Sequence, residues 1–142
     1  MQTGFKFEIL YRDNDLVKIR VSARNNQFGG KADVYLGTGQ LVDIATQLQG
    51  FPRGILDSRE VLLGAFGTDS AGGGLRMRFR CMDSSGHVCV ETEIESDRDS
   101  AGRAQCAMLF VRTEPAAVDS FVDELRLLNK GAIPTASLQG TL

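Results

Sequence analysis

The strongest constraint on the fold of this chain is a period-two alternation of apolar and polar residues. In residues 5–11 and 17–23 apolar side chains occupy every second position, and residues 13–15 between them read Asp-Asn-Asp. This alternation is typical of strands that bury one face, and the Asp-Asn-Asp triplet is typical of a tight turn. The pattern predicts an antiparallel hairpin in which Tyr11 lies opposite Val17.

A second hairpin is predicted with its register. Residues 75–82 and 87–95 alternate in the same way, and residues 83–86 read Asp-Ser-Ser-Gly, which suits a four-residue turn with glycine at positive φ. Centring the hairpin on that turn places the apolar side chains on one face. It also places Arg78 opposite Glu91, so one register satisfies both the core and the charges.

In two places the spacing of the apolar residues changes from every second residue to the helical period of 3.6 residues. Apolar residues at helical spacing predict one helix between about residues 38 and 50 and another from Pro115 to about residue 129. Three further strands are predicted over residues 31–36, 59–66 and 103–113. We therefore expect an α+β fold of order βββαββββα, in which one antiparallel sheet of about seven strands carries both helices on one face.

The chain of 142 residues has the size of one domain. We expect that single domain to span residues 1–131, followed by a small, polar, loosely held C-terminal tail over residues 132–142. The sequence reveals no internal repeat and no linker.

The charge balance disfavours nucleic-acid or anionic-membrane binding. Sixteen basic and 18 acidic residues give a net charge of −2, without the basic excess that phosphate backbones require. No apolar run approaches the roughly 18 residues of a membrane span, and the start of the chain does not resemble a signal peptide. Three cysteines without a CxxC motif do not form a disulfide framework, so we expect a reducing, cytoplasmic location.

The residues offer no recognisable catalytic or metal site. His87 is the one histidine, and it lies at the end of the predicted 83–86 turn. In the predicted register Cys81 and Cys89 lie on opposite faces of the sheet, so they share neither a metal nor a disulfide. We expect no cofactor, no metal and no enzymatic activity.

A glycine-rich stretch over residues 64–74 lacks the Lys-Ser/Thr of a phosphate loop and leads into a strand instead of a helix. We interpret it as a mobile loop that contacts a partner, with Thr68 and Asp69 as the contact residues.

The most unusual feature is an acidic run at period two, formed by Glu91, Glu93, Glu95, Asp97 and Asp99. The predicted register offsets the first two with arginines and leaves the last three uncompensated. Two interpretations stay open. The run is either a charged sheet edge that resists aggregation or an acidic docking patch for a basic protein surface.

The later part of the chain resembles a known family. The residues that carry the resemblance are Gly64-Ala65-Phe66-Gly67, the hairpin containing Asp83-Ser84-Ser85-Gly86-His87-Val88-Cys89-Val90, Arg112-Thr113-Glu114-Pro115 and the helix that follows. In spacing and pattern they are similar to small bacterial immunity proteins encoded beside wall-associated, contact-dependent toxins.

The resemblance implies a cytoplasmic protein without enzymatic activity that binds and blocks a cognate toxin, which in several such systems is a nuclease. The acidic run and residues 68–69 are then the expected toxin contacts. Two alternatives remain: a chaperone for a secreted effector, and a domain that binds a small molecule between sheet and helices. Neither the toxin nor the oligomeric state is predicted.

Overall fold

The computed structural model describes residues 2–67 and 72–141. Within these ranges the chain forms two helices, α1 (Gln40–Leu48) and α2 (Pro115–Asn129). The described strands, in chain order, are β1 (Gly4–Arg12), β2 (Leu16–Arg24), β3 (Gly29–Gly37), β4 (Ser58–Gly64), β5 (Gly74–Cys81), β6 (Val88–Glu95), β7 (Cys106–Thr113) and β8 (Thr135–Gln139).

The strands form two antiparallel sheets, so the prediction of a single sheet of about seven strands was wrong. Among the described residues, the first sheet has the order β3-β2-β1-β8 and the second has the order β4-β5-β6-β7. Alternation specifies which face of a strand is buried, but not which sheet the strand joins. Here α1 carries the chain from β3, at the edge of the first sheet, to β4, at the edge of the second. The fold class is α+β.

Each half of the chain has the same topology, and each half donates its last strand to the other. The segments β1-β2-β3-α1-β4 and β5-β6-β7-α2-β8 are both three-stranded meanders followed by a helix and a strand. Strand β4 pairs with β5, the first strand of the second half, whereas β8 pairs with β1, the first strand of the first half. The sequence revealed no repeat, so this exchange of strands emerges only from the structure.

The equivalence of the halves extends to the spacing of buried side chains. The helices bury residues at identical intervals, which are Leu41, Ile44, Ala45 and Leu48 in α1 and Val118, Phe121, Val122 and Leu125 in α2. The third strands do the same with Ala32, Val34 and Leu36 in β3 and with Leu109, Val111 and Thr113 in β7. The residue types differ at five of these seven pairs, which explains why the repeat is not evident in the sequence.

Both sheets and both helices contribute to one continuous hydrophobic cluster. The rings of Phe7 in β1 and Phe121 in α2 meet edge to face, with centroids 5.2 Å apart. Just after the end of α1, Phe51 packs against Phe79 of β5, and the centroids of the two rings are 5.9 Å apart. Neither described helix has the length and apolar character needed to cross a membrane.

The segment predicted to be a loosely held tail contains strand β8. Ala136 and Leu138 are buried in the core, and β8 is hydrogen-bonded along β1. Beyond the strand, the backbone N–H of Gly140 donates to Thr3 O at 3.0 Å. The expectation failed because two apolar residues in a short polar segment are too few to reveal a strand by periodicity.

The register of the hairpin formed by β5 and β6 is confirmed. Arg78 lies opposite Glu91, and Cys81 lies opposite Val88. The turn is also as predicted, since Gly86 has φ of +86° and the backbone N–H of Met82 donates to His87 O.

The hairpin formed by β1 and β2 departs from the predicted register at its turn. Tyr11 lies opposite Lys18 instead of Val17, because the pairing shifts by one residue between Ile9 and Tyr11. Such a bulge adds one residue to one strand and has no signature in apolar alternation.

The loop that leads from α1 into β4 is held by one ion pair. The Asp57 carboxylate accepts from Arg59 Nη2 at 2.8 Å and from the backbone N–H of Arg53 at 2.9 Å. Arg59 also donates to the carbonyls of Gln47 and Gln49, at 3.0 and 2.7 Å. The C-terminal end of α1 is thereby tied to the start of β4.

This ion pair makes a prediction about acid stability. The hydrogen bond from Arg59 is the largest of the causes that lower the pKa of Asp57 below 3.8. The pair therefore stabilises the fold at pH values above the ordinary pKa of 3.8. Its contribution is lost as the pH falls through the lower pKa of the folded state. Asp57→Asn should unfold at lower urea than the wild type at pH 7, and the gap should close towards pH 2. A gap that is equal at both pH values would contradict this role.

Candidate partner-binding surface

The outward face of the second sheet carries a lattice of alternating charges. Arginines project from β5, the central carboxylates project from β6, and Glu60 projects from β4. Arg76 contacts both Glu60 and Glu93, at 3.1 and 3.4 Å, and Arg80 pairs with Glu91. Since each carboxylate lies beside a guanidinium, this part of the face is electrically balanced.

The acidic run does not end in three uncompensated carboxylates, so that expectation was wrong. Glu95 pairs with Arg98 at 3.1 Å, and Asp99 pairs with Arg103 at 3.1 Å. Both arginines come from the loop that follows β6. Among the described residues, only Asp97 of the run forms no ion pair, and its carboxylate lies 3.4 Å from the backbone N–H of Asp33.

Asp99 organises the loop between β6 and β7. Its carboxylate accepts from the backbone N–H groups of Arg103 and Ala101, at 3.0 and 2.9 Å. These bonds, with the Arg103 backbone N–H as the largest cause, lower the pKa of Asp99 below its ordinary value. The carboxylate is therefore a structural acceptor as well as an exposed charge.

A cleft of about 570 Å³ opens beside this loop. It lies between the equivalent starts of β3 and β7, where Gly29 and Gly30 face Cys106 and Ala107. Its wall includes Asp97 together with Arg20, Lys31 and Arg98, so the end of the acidic run borders a cleft of mixed charge.

An exposed apolar ridge adjoins the cleft along β7. Met108 and Phe110 alternate with buried residues and project outward, and Met108 is 65% exposed. Phe28 is 61% exposed and lies in the turn between β2 and β3. This turn contacts β7 through a hydrogen bond that Asn25 Nδ2 donates to Phe110 O at 2.8 Å. We call Phe28, Met108 and Phe110 the apolar ridge.

The apolar ridge was not predicted from the sequence, although the sequence contains a signal for it. Leu109 and Val111 fill the buried positions of β7, so Met108 and Phe110 fall on the face where polar residues are expected. The register places Met108 opposite Glu93 and Phe110 opposite Glu91. The ridge and the first two acidic residues therefore share one face.

The cysteines and the histidine lie where the hairpin register put them. His87 Nδ1 is 2.7 Å from Asp83 Oδ2, and this contact raises the pKa of the imidazole. Cys81 points towards the core and is half-buried, with its Sγ 3.7 Å from Gly54 O. Cys89 lies on the outward face, where burial raises its pKa. Within residues 2–67 and 72–141, no three His, Cys, Asp or Glu side chains converge on a metal-sized site.

Thr68 and Asp69, the predicted loop contacts, lie outside the described residues. The glycines at the end of the same stretch have a packing role. A side chain on Gly73 would meet Glu95 O at 2.3 Å, and one on Gly74 would meet Ala65 O at 2.8 Å. Close backbone approach explains why glycine is required at these two positions.

No protein-family model, curated protein or solved structure matches this chain.

Proposed function

We propose that this chain is a cytoplasmic immunity protein that binds a cognate bacterial toxin stoichiometrically and blocks it by occlusion. The proposed contact surface combines the apolar ridge with the acidic residues around the cleft. The chain contributes no chemistry of its own to this activity, and the partner is a protein with an apolar pocket and a basic rim.

The observation that supports the proposal most directly is the apolar ridge. Exposed aromatic and methionine side chains are enriched at the centres of protein interfaces and cost solubility elsewhere. The ridge is also held rigidly, since Phe110 O and Arg112 O accept hydrogen bonds from Asn25 and Thr141, both at 2.8 Å. A rigid ridge loses little conformational entropy on binding.

The acidic residues have a secondary role in the proposal. Glu91 and Glu93 are balanced by the arginines of β5. Among the described residues of the acidic run, Asp97 is therefore the carboxylate most available to a basic partner. Charged residues at the rim of an interface chiefly affect the association rate and its dependence on salt.

The function is tested by identifying and challenging the partner. A tagged form of this chain is recovered from its native host, and each co-purified protein is expressed alone in a naive strain. A partner that stops growth, and whose toxicity is abolished when this chain is co-expressed, would support immunity. A non-toxic secreted partner would favour the effector chaperone instead.

The contact surface is tested with Met108→Asp on the toxin so identified. We expect affinity to fall at least about 30-fold, because the carboxylate would have to lose its hydration in an apolar contact. Asp97→Arg should slow association severalfold and leave dissociation nearly unchanged. Leu127→Asp, on the exposed side of α2, is the matched control. Calorimetry that gave the same affinity for Met108→Asp and wild type would exclude the ridge.

A further inference from the structure

A turn before β4 presents two aliphatic side chains to solvent. The backbone N–H of Asp57 donates to Gly54 O at 3.1 Å, which places Ile55 and Leu56 at the two central positions of a β-turn. Such positions normally carry Gly, Pro, Asn, Asp or Ser. Leu56 is instead 93% exposed, and Ile55 is more than half exposed. In the isolated chain these exposed side chains contribute little buried surface to the turn.

The turn is held rigidly by contacts of the residues that flank it. Asp57 is fixed by Arg59 and by the backbone N–H of Arg53, and the Arg59 guanidinium lies over the ring of Phe51, 5.4 Å from its centroid. A rigidly presented aliphatic pair needs little further ordering to enter a pocket on another protein.

The same side of the molecule carries a groove that matches this turn. It has a volume of about 370 Å³ and lies between α1 and β4, with Leu62 and Asp43 among its lining residues. Leu62 is 46% exposed, and Gln40 Nε2 lies 3.5 Å from its carbonyl oxygen. The groove therefore offers the half-exposed Leu62 side chain with a carboxylate beside it, in a lining that also includes Gln40 and Gln47.

The charges of the turn and the groove are complementary. Arg53 is exposed next to Ile55, and Asp43 is exposed in the groove. Neither residue takes part in an ion pair with any other described residue. Each site thus carries an exposed aliphatic side chain and an exposed charge, and the two charges are of opposite sign.

The two sites lie next to each other along α1. The contacts of Arg59 with the carbonyls of Gln47 and Gln49 place the turn at the C-terminal end of α1. The groove runs beside the same helix from Gln40 to Gln47, so its lining reaches a residue that holds the turn. A two-fold axis between the two sites would bring the turn of each molecule onto the groove of the other, as a self-complementary dimer interface requires.

We propose that a second copy of this chain occupies the groove. In the resulting two-fold dimer, Ile55 and Leu56 of each protomer contact Leu62 of its partner, and Arg53 pairs with Asp43 across the interface. Leu62 and the apolar ridge belong to opposite edges of the second sheet, which are formed by β4 and β7. The proposal is independent of toxin binding.

The dimer is tested by sedimentation equilibrium of the full chain. We expect the wild type to be half dimeric at a concentration between about 1 and 100 μM. Leu56→Asp should raise the dissociation constant at least about tenfold, since an unpaired carboxylate would enter the apolar contact. Because Leu56 lies almost wholly in solvent, the variant should retain the far-ultraviolet circular dichroism of the wild type.

A charge exchange tests the pairing itself. Arg53→Asp or Asp43→Arg alone should weaken the dimer severalfold by placing like charges together, and the two combined should restore the wild-type constant within about twofold. Met108→Asp should leave dimerisation unchanged. A wild type that stays monomeric at 200 μM, or a dimer insensitive to Leu56→Asp, would overturn the proposal. The proposal would also be overturned if the combined variant dimerised no more tightly than the two single variants.

Discussion

Leu138→Asp should leave most of the protein unfolded at 25 °C. Leu138 is 1% exposed in β8, and this strand completes the first sheet against β1. Truncating a buried leucine costs about 2–5 kcal/mol, and an unpaired buried carboxylate adds several more. Because a domain of this size is stable by only about 5–15 kcal/mol, the sum is enough to unfold it. Urea titration followed by circular dichroism measures the loss.

The neighbouring residue supplies the matched control. Gln139 belongs to the same strand, but its side chain is exposed, and its main-chain oxygen, which accepts from Thr113 Oγ1, is retained in any substitution. Gln139→Asp should therefore change stability by less than about 0.5 kcal/mol. Equal losses in the two variants would mean that the negative charge acts generally and that β8 is not a core strand.

Phe121→Ala should lower the free energy of unfolding by about 3–5 kcal/mol. The ring of Phe121 is fully buried in α2 and meets Phe7 edge to face. Its removal leaves a cavity at the point where the second helix reaches the first sheet, which the rigid strands cannot collapse to fill. Thermal and urea unfolding should both report the loss, with an unchanged slope against urea concentration.

Phe28→Ala applies the same chemical change at an exposed ring. Since that ring already lies largely in water, stability should change by less than about 0.5 kcal/mol. A large loss at Phe28 would show that the ridge serves the fold, which would weaken its proposed role in binding.

Local structure was predictable because it is specified by neighbours in the chain. The register between β5 and β6 follows from a short turn and opposite charges such as Arg78 and Glu91, and the helix beginning at Pro115 follows from its apolar spacing. In these elements propensity, turn chemistry and burial all agree.

The assembly of these elements was not predictable in the same way. A strand with one apolar face fits either sheet, so nothing in the alternation separates β4 from β3. Strand β8 is recognised only through its partner β1, from which it is separated by almost the whole chain. Such long-range pairings leave no local pattern.

The compensation of the acidic run could have been inferred from spacing. Arg98 follows Glu95 by three residues and Arg103 follows Asp99 by four, so each pair lies within reach across a compact loop. Cross-strand pairing alone leaves these two carboxylates without partners, because their partners lie along the chain. The apolar ridge was overlooked because Met108 and Phe110 lie inside an otherwise apolar segment, which reads as buried throughout.

The exchange of strands between the halves affects the order of events during synthesis on the ribosome. When β1, β2 and β3 have emerged, β1 still lacks its neighbour β8, and β4 must wait for β5. A nascent first half therefore leaves open two strand edges that the finished fold pairs. Such edges pair with other chains and are shielded by chaperones. The first sheet is completed only when β8 has been made, after all the other described strands, so aggregation competes with folding until then.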